Sequence, residues 1–131
     1  MRANCLGENA VIGLVSPSHI AVPTQYEKII SGLERKGFTV KTGKYLYQTT
    51  YGYLAATWER AADLNNMICD NGVNMLFFGG GTGSVPLLPY IEYENIRKHP
   101  KLFVSYSDGT SILNAIYFQT GLETYYGQMP G

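Results

Sequence analysis

The stretch Val104-Ser105-Tyr106-Ser107-Asp108-Gly109-Thr110 constrains the fold of this chain more than any other. Leu102, Phe103 and Val104 form an apolar run too short for a helix, which predicts a buried strand. Over residues 112–118 apolar side chains fall on nearly every side, which predicts a buried helix. The backbone must therefore reverse within a few residues. A strand–turn–helix corner of this kind tolerates only small side chains two before and two after its apex, because those two positions approach each other. Here they are Ser105 and Gly109, and the apex is Ser107. This is the mechanical logic of the nucleophile elbow, G-x-S-x-G in its commonest form, with Ser in place of the first Gly. An apex serine stands clear of the sheet at a helix N-terminus, where backbone N–H groups favour developing negative charge. Ser, Asp and Thr are also good N-caps, so Ser107, Asp108 and Thr110 equally fit a plain helix cap. The local pattern leaves both readings open.

Upstream, residues 10–16 are a continuous apolar run with β-branched members, the pattern of a parallel strand buried on both faces. Pro17-Ser18-His19 breaks it. Tyr26, Ile29, Ile30 and Leu33 recur at helical spacing, with Gly37 as the stop. Residues 38–40 predict a second strand. Residues 41–54 are polar, glycine-punctuated and carry Tyr45, Tyr47, Tyr51 and Tyr53, which predicts a long irregular connection. Its tyrosines either pack the loop onto the body or line an interface. Trp58, Ala61, Leu64 and Ile68 share one helical face, with Thr57 as the expected cap, Glu59 in the first turn and Gly72 as the stop. Residues 73–78 predict a third strand and residues 102–105 a fourth. A short helical piece around Leu87 and a helical turn ending at Pro100 separate them. Gly121 stops the last helix, and residues 122–125 predict a fifth strand.

Strands alternating with helices predict an α/β domain. The expected form is a flavodoxin-like or Rossmann-like parallel sheet with helices on both faces, in three layers. Ligands of such sheets collect outside the C-terminal strand ends. Three loops fall at that end: Pro17-Ser18-His19, Gly79-Gly80-Gly81-Thr82-Gly83-Ser84, and the corner at Ser107. Their agreement adds weight to a catalytic Ser107.

With 131 residues the chain has room for one domain with a proper core. Ten basic and ten acidic side chains cancel and no Lys/Arg cluster occurs, so neither nucleic acid nor a membrane is an expected partner. The longest apolar run is far short of a bilayer span, and no signal-peptide pattern is present. Cys5 and Cys69 have no Cys or His at metal spacing, so no metal is expected, and two free thiols suit a cytosolic protein. Cys69 falls in a predicted helix and is expected to pack rather than react.

The glycine loop is not a phosphate-binding Walker loop, because no Gly-Lys-Ser/Thr follows. It also misses the dinucleotide fingerprint by one residue, reading Gly79-x-Gly81-x-x-Ser84, and it follows the third predicted strand rather than the first. It fits better as a loop whose backbone N–H supplies half of an oxyanion hole, the other half being the N–H of Asp108. A tight structural turn is the alternative. Of the two histidines, His99 precedes the fourth strand and belongs to the opposite end of the sheet. His19 is at the correct end, where it could line a pocket, cap the first helix or act as a base, but no acidic partner is legible.

The chain resembles the N-terminal half of the LD-carboxypeptidase family of serine peptidases, which includes murein tetrapeptide carboxypeptidases and microcin-immunity peptidases. The likeness is carried by Ile12-Gly13-Leu14-Val15-Ser16-Pro17-Ser18, Gly52-Tyr53-Leu54-Ala55 and Glu59-Arg60-Ala61-Ala62-Asp63-Leu64-Asn65. It continues through the glycine loop, Leu87-Leu88-Pro89-Tyr90-Ile91-Glu92-Tyr93, Pro100-Lys101, Tyr106-Ser107-Asp108 and Thr120-Gly121-Leu122. The resemblance implies a cytoplasmic, cofactor-free enzyme with a Ser-Glu-His triad that cleaves the amide to terminal D-alanine in murein tetrapeptides. It maps the nucleophile onto Ser107 and the oxyanion-hole N–H groups onto Gly81 and Asp108, with Ser18, His19, Gly80 and Thr82 as pocket-lining candidates. It assigns the Glu and His to a C-terminal domain absent from residues 1–131, so the chain by itself is expected to be inactive and to dock that domain or form a homodimer.

Departures from the family pattern bear on the substrate. Ser105 stands where Gly commonly precedes Tyr-Ser-Asp, and Gly109 where a larger residue is usual, so the small residues have exchanged sides. Gly79 and Thr82 replace a frequent Arg and Tyr, and Tyr126-Gly127-Gln128 replaces a His-Gly-Pro or Tyr-Gly-Pro segment. A microcin-type amide hydrolase is the alternative within the same chemistry. A non-catalytic flavodoxin-like domain that binds an anion on the glycine loop is the alternative outside it.

Overall fold

The computed structural model describes residues 1–18, 23–48, 50, 55–79 and 83–127. The three apolar runs form β1 (Val11–Val15), β3 (Met75–Phe78) and β4 (Leu102–Ser105). The edge strands are β2 (Thr39–Thr42) and β5 (Tyr125–Tyr126), and the order is β2-β1-β3-β4-β5 with every neighbouring pair parallel. This is the flavodoxin-like order, whose switch point lies between β1 and β3. Burial follows position. All of β3 is buried, whereas β2 at the edge is exposed or half-exposed.

Crossovers are made by α1 (Pro23–Arg35), α2 (Thr57–Cys69), α3 (Tyr93–Lys98) and α4 (Thr110–Thr120), with a 3-10 turn at Val85–Tyr90. Gly37 (φ 93°) and Gly121 (φ 76°) close α1 and α4 in the left-handed conformation that glycine adopts without steric cost. Alternate strand residues feed two cores. Val15, Leu76, Phe78 and Phe103 pack with Leu64, Met67 and Ile68 of α2, Ile96 of α3, and Ile112, Leu113 and Ile116 of α4. Ile12, Leu14, Met75 and Phe77 pack on the other face with Tyr26, Ile29 and Leu33 of α1 and with Leu46. Each fully buried Leu, Ile or Phe contributes about 1.5–3 kcal/mol. Among the described residues α1 is the one helix on that second face, and Leu102 and Val104 of β4 are only partly buried there.

Helix α2 differs from its sequence-based reading. Ala56, not Thr57, is the N-cap, and the Glu59 carboxylate accepts its N–H at 2.9 Å. Trp58 is 66% exposed, its ring edge-on to Tyr45. Ala61, Leu64 and Ile68 are buried as expected, and the inward face carries Glu59, Arg60, Asp63 and Met67 besides. The face rotates because Arg60 and Asp63 find partners inside. Asp63 Oδ2 accepts the Tyr45 N–H at 2.8 Å and so anchors the turns after β2, and burial pushes its carboxyl above the ordinary range. Cys69 is exposed rather than packed, since Met67 and Ile68 take the inward positions, and its Sγ accepts from Asn95 Nδ2 at 3.2 Å. The fifth strand starts later than expected because Leu122 is drawn into the core beside α4. No helix among the described residues is long and apolar enough to cross a membrane.

Candidate active site

Beyond β4 the chain stays extended at Tyr106 (φ −153°, ψ 169°) and then turns at Ser107, whose φ is 54°. A 3-10 turn, Ser107–Gly109, leads directly into α4. Among the described residues the other non-glycine with positive φ is Asn9, before β1. An L-residue held in this region costs about 1–3 kcal/mol. A capping residue would stay in the ordinary β region and bond a helix N–H. Neither the 3-10 turn nor α4 has a side-chain cap bond. Ser107 is exposed, and among the described residues neither its Oγ nor the Asp108 N–H has a hydrogen-bond partner. The corner thus offers a hydroxyl and a backbone donor side by side at the C-terminal end of the sheet.

Two close approaches set the corner. Ser105 Oγ donates to Phe78 O at 2.6 Å and joins the ends of β4 and β3. A Cβ on Gly109 would collide with Ser105 Oγ and lie 2.9 Å from Ser105 Cβ.

The flanking loops converge on Asp108. Its Oδ2 accepts from Ser18 Oγ at 2.7 Å and from the Ser84 N–H at 2.9 Å, and its carbonyl accepts from Ser84 Oγ at 2.9 Å. Ser18, expected to line a pocket, is therefore buried and bonded to the corner. Arg60, buried at the start of α2, donates to Pro17 O (2.7 Å), Gly83 O (2.5 Å) and Ala55 O (3.0 Å). Burial lowers its pKa, and the nearby Asp108 charge opposes that shift. Sequence reasoning missed Arg60 as a site residue. The available signal was a charge four before Leu64 and seven before Met67, on the apolar face of a helix. His19, Gly80, Gly81 and Thr82 lie outside the described residues. His99 caps α3 ahead of β4 and lines a shallow pocket of about 310 Å³ with Asn4, Cys5, Asn74 and Lys101, at the opposite end of the sheet from Ser107.

The strain at Ser107 has a measurable sign. Replacing Ser107 by Gly should raise unfolding free energy by about 0.5–1 kcal/mol, as relief of left-handed strain outweighs the greater chain entropy of Gly. Ser107→Ala should leave stability nearly unchanged. A loss of about 1 kcal/mol in Ser107→Ala, read by urea denaturation, would mark a cap instead.

Residues 12–127 match the LD-carboxypeptidase N-terminal domain. A Bacillus subtilis protein named as a murein peptide carboxypeptidase is 36% identical over 130 residues, which cover 98% of this chain and 40% of that protein. The microcin C7 self-immunity protein MccF of Escherichia coli is 35% identical over 120 residues, 88% of this chain and 35% of its own length. The crystal structure of an MccF-like protein from Bacillus anthracis superposes with a TM-score of 0.92 at 30% identity, over 98% of this chain and 40% of that one. The chain thus spans about two fifths of the length of such relatives. A domain match across most of the chain, on a parallel sheet of the same shape, places this protein in the LD-carboxypeptidase family, through its N-terminal domain.

Proposed function

We propose that this chain is the nucleophile-bearing half of a cytoplasmic serine carboxypeptidase that hydrolyses the amide to terminal D-alanine in murein tetrapeptides. The observation that carries the reading is Ser107 itself: exposed, at φ 54°, with no partner for its hydroxyl among the described residues, at the sheet end where such folds bind ligands. In this reading a base takes the Ser107 proton as Oγ attacks the scissile carbonyl carbon. The N–H groups of Asp108 and Gly81 hold the resulting oxyanion. Collapse breaks the C–N bond, and the protonated base returns its proton to the departing D-alanine amine. Water then hydrolyses the acyl-serine and regenerates Ser107.

The base and its carboxylate partner, a His and a Glu, belong in this reading to a second domain outside residues 1–131. Two observations support a docking surface for it. Gly127 N–H donates to Ser105 O at 2.9 Å, so β5 ends beside the corner. Leu102, Val104 and Tyr125 leave an incompletely covered apolar strip, and Tyr126 is 70% exposed. A homodimer through the same aromatic edge is the other expected partner.

Incubation with a fluorophosphonate, with imidazole added as a surrogate base, tests the assignment. Labelling should map to Ser107, rise with imidazole and vanish in Ser107→Ala. Tight binding of inorganic phosphate with Ser107 unlabelled would sink the assignment and favour an anion-binding domain. The likeness to MccF supports a second reading, a microcin-type amide hydrolase. Binding of aspartyl sulfamoyl adenosine, the ligand in one solved MccF complex, would favour it.

A further inference from the structure

One peptide unit at the exit of the glycine-rich segment is held at both ends by charged side chains. Its carbonyl, Gly83 O, accepts from Arg60 Nη1 at 2.5 Å, and its N–H, on Ser84, donates to Asp108 Oδ2 at 2.9 Å. The same two side chains reach back to the loop after β1, Arg60 to Pro17 O and Asp108 to Ser18 Oγ. Ser18, Arg60 and Ser84 are all buried, so water competes little for these bonds. At the entry of the segment, Phe78 O is fixed by Ser105 Oγ. Entry and exit are therefore both tied to the corner that carries Ser107.

Such ties have a physical reason. A backbone N–H that stabilises a developing oxyanion must be held within about 0.5 Å of its productive position. Charge-assisted bonds are the strong ones available for that purpose, and a guanidinium can bridge two carbonyls from different loops at once. We propose that Arg60 and Asp108 are positioning residues that clamp the Gly83–Ser84 peptide and thereby hold Asp108, with its free N–H, in place beside Ser107. The proposal rests on the reading of Ser107 as a nucleophile, with the Asp108 N–H as an oxyanion donor beside it. It adds a side-chain role for Asp108 beside its backbone one, and a role for Arg60.

Two readouts on the 131-residue chain test it: the resonance and hydrogen exchange of the Ser84 amide, and the imidazole-assisted labelling of Ser107. In Asp108→Ala the Ser84 amide proton should move upfield and exchange about 10–100-fold faster, the loss expected of a bond to a charged acceptor. Labelling should slow with it. Asp108→Asn keeps one acceptor oxygen and should recover part of both. Arg60→Met should slow labelling, and Arg60→Lys, lacking the fork, should recover little. Lys101→Met is the control for lost stability alone. It removes bonds to Asp70 O and Val73 O at the far end of the sheet and should leave both readouts in place. Wild-type labelling rates in Asp108→Ala and Arg60→Met would overturn the clamp while leaving the nucleophile assignment intact. An unlabelled wild-type Ser107 with the predicted Ser84 response would remove the assignment and leave a structural tie. Ser84 exchange unchanged in Asp108→Ala would overturn the clamp in either case.

Discussion

Purified as 131 residues, this chain should release D-alanine from a murein tetrapeptide at least about 10⁴-fold more slowly than a two-domain relative, the scale of loss when a serine-protease triad member is removed. The expectation comes from what surrounds Ser107. The corner supplies a hydroxyl and a backbone donor, but among the described residues no histidine stands near it, and His99 is at the other end of the sheet. An unassisted serine hydroxyl is a weak nucleophile at neutral pH, and positioning alone does not remove its proton. Amino-acid analysis of D-alanine release by equimolar chain and relative measures the ratio. Rates within tenfold of each other would refute the half-enzyme reading and make His19 the base to replace first.

Much of this arrangement was legible because the relevant forces are local. A short apolar run bounded by turn residues favours a buried strand, and β4 occupies residues 102–105 as its run predicts. The corner was legible for the same reason: a strand and a helix separated by so few residues leave room only for small side chains at 105 and 109. What failed depended on partners distant in sequence. Arg60 looks like a solvent-facing charge until the carbonyls of Pro17 and Gly83 arrive beside it. Asp63 faces inward only because the Tyr45 N–H meets it there. With those positions taken, Trp58 has to turn outward, against the plain expectation for a tryptophan. Cys69 follows the same rotation, one residue past the buried Ile68. The clamp on Gly83–Ser84 was illegible for a related reason, since it joins loops from three strand ends whose proximity only the sheet order creates.

The corner's second test concerns Gly109, where two rules predict opposite signs. Its backbone is ordinary right-handed helix, φ −61° and ψ −16°, so no left-handed strain demands a glycine. On helix propensity alone, Gly109→Ala should stabilise by up to about 1 kcal/mol. Packing predicts the reverse. The new methyl would meet Ser105 Oγ, with Ser105 Cβ at 2.9 Å and Phe78 Cδ2 at 3.1 Å. Ser105 cannot simply rotate away, because its hydroxyl donates to Phe78 O in a buried site. Overpacking costs about 1–3 kcal/mol and a lost buried bond about 1–3 more, so Gly109→Ala should destabilise by about 2–4 kcal/mol net. The decisive variant moves the small residue to the other side. Ser105→Gly with Gly109→Ala restores the commoner pattern and removes the collision with Ser105, leaving the lost Ser105 bond and the 3.1 Å approach to Phe78 Cδ2. The double variant should therefore be more stable than the sum of the singles by about 1–3 kcal/mol, the range seen for residues in contact. Additive singles, or a stabilising Gly109→Ala in urea denaturation, would show that positions 105 and 109 do not press on each other. The strained turn at Ser107 would then need another cause.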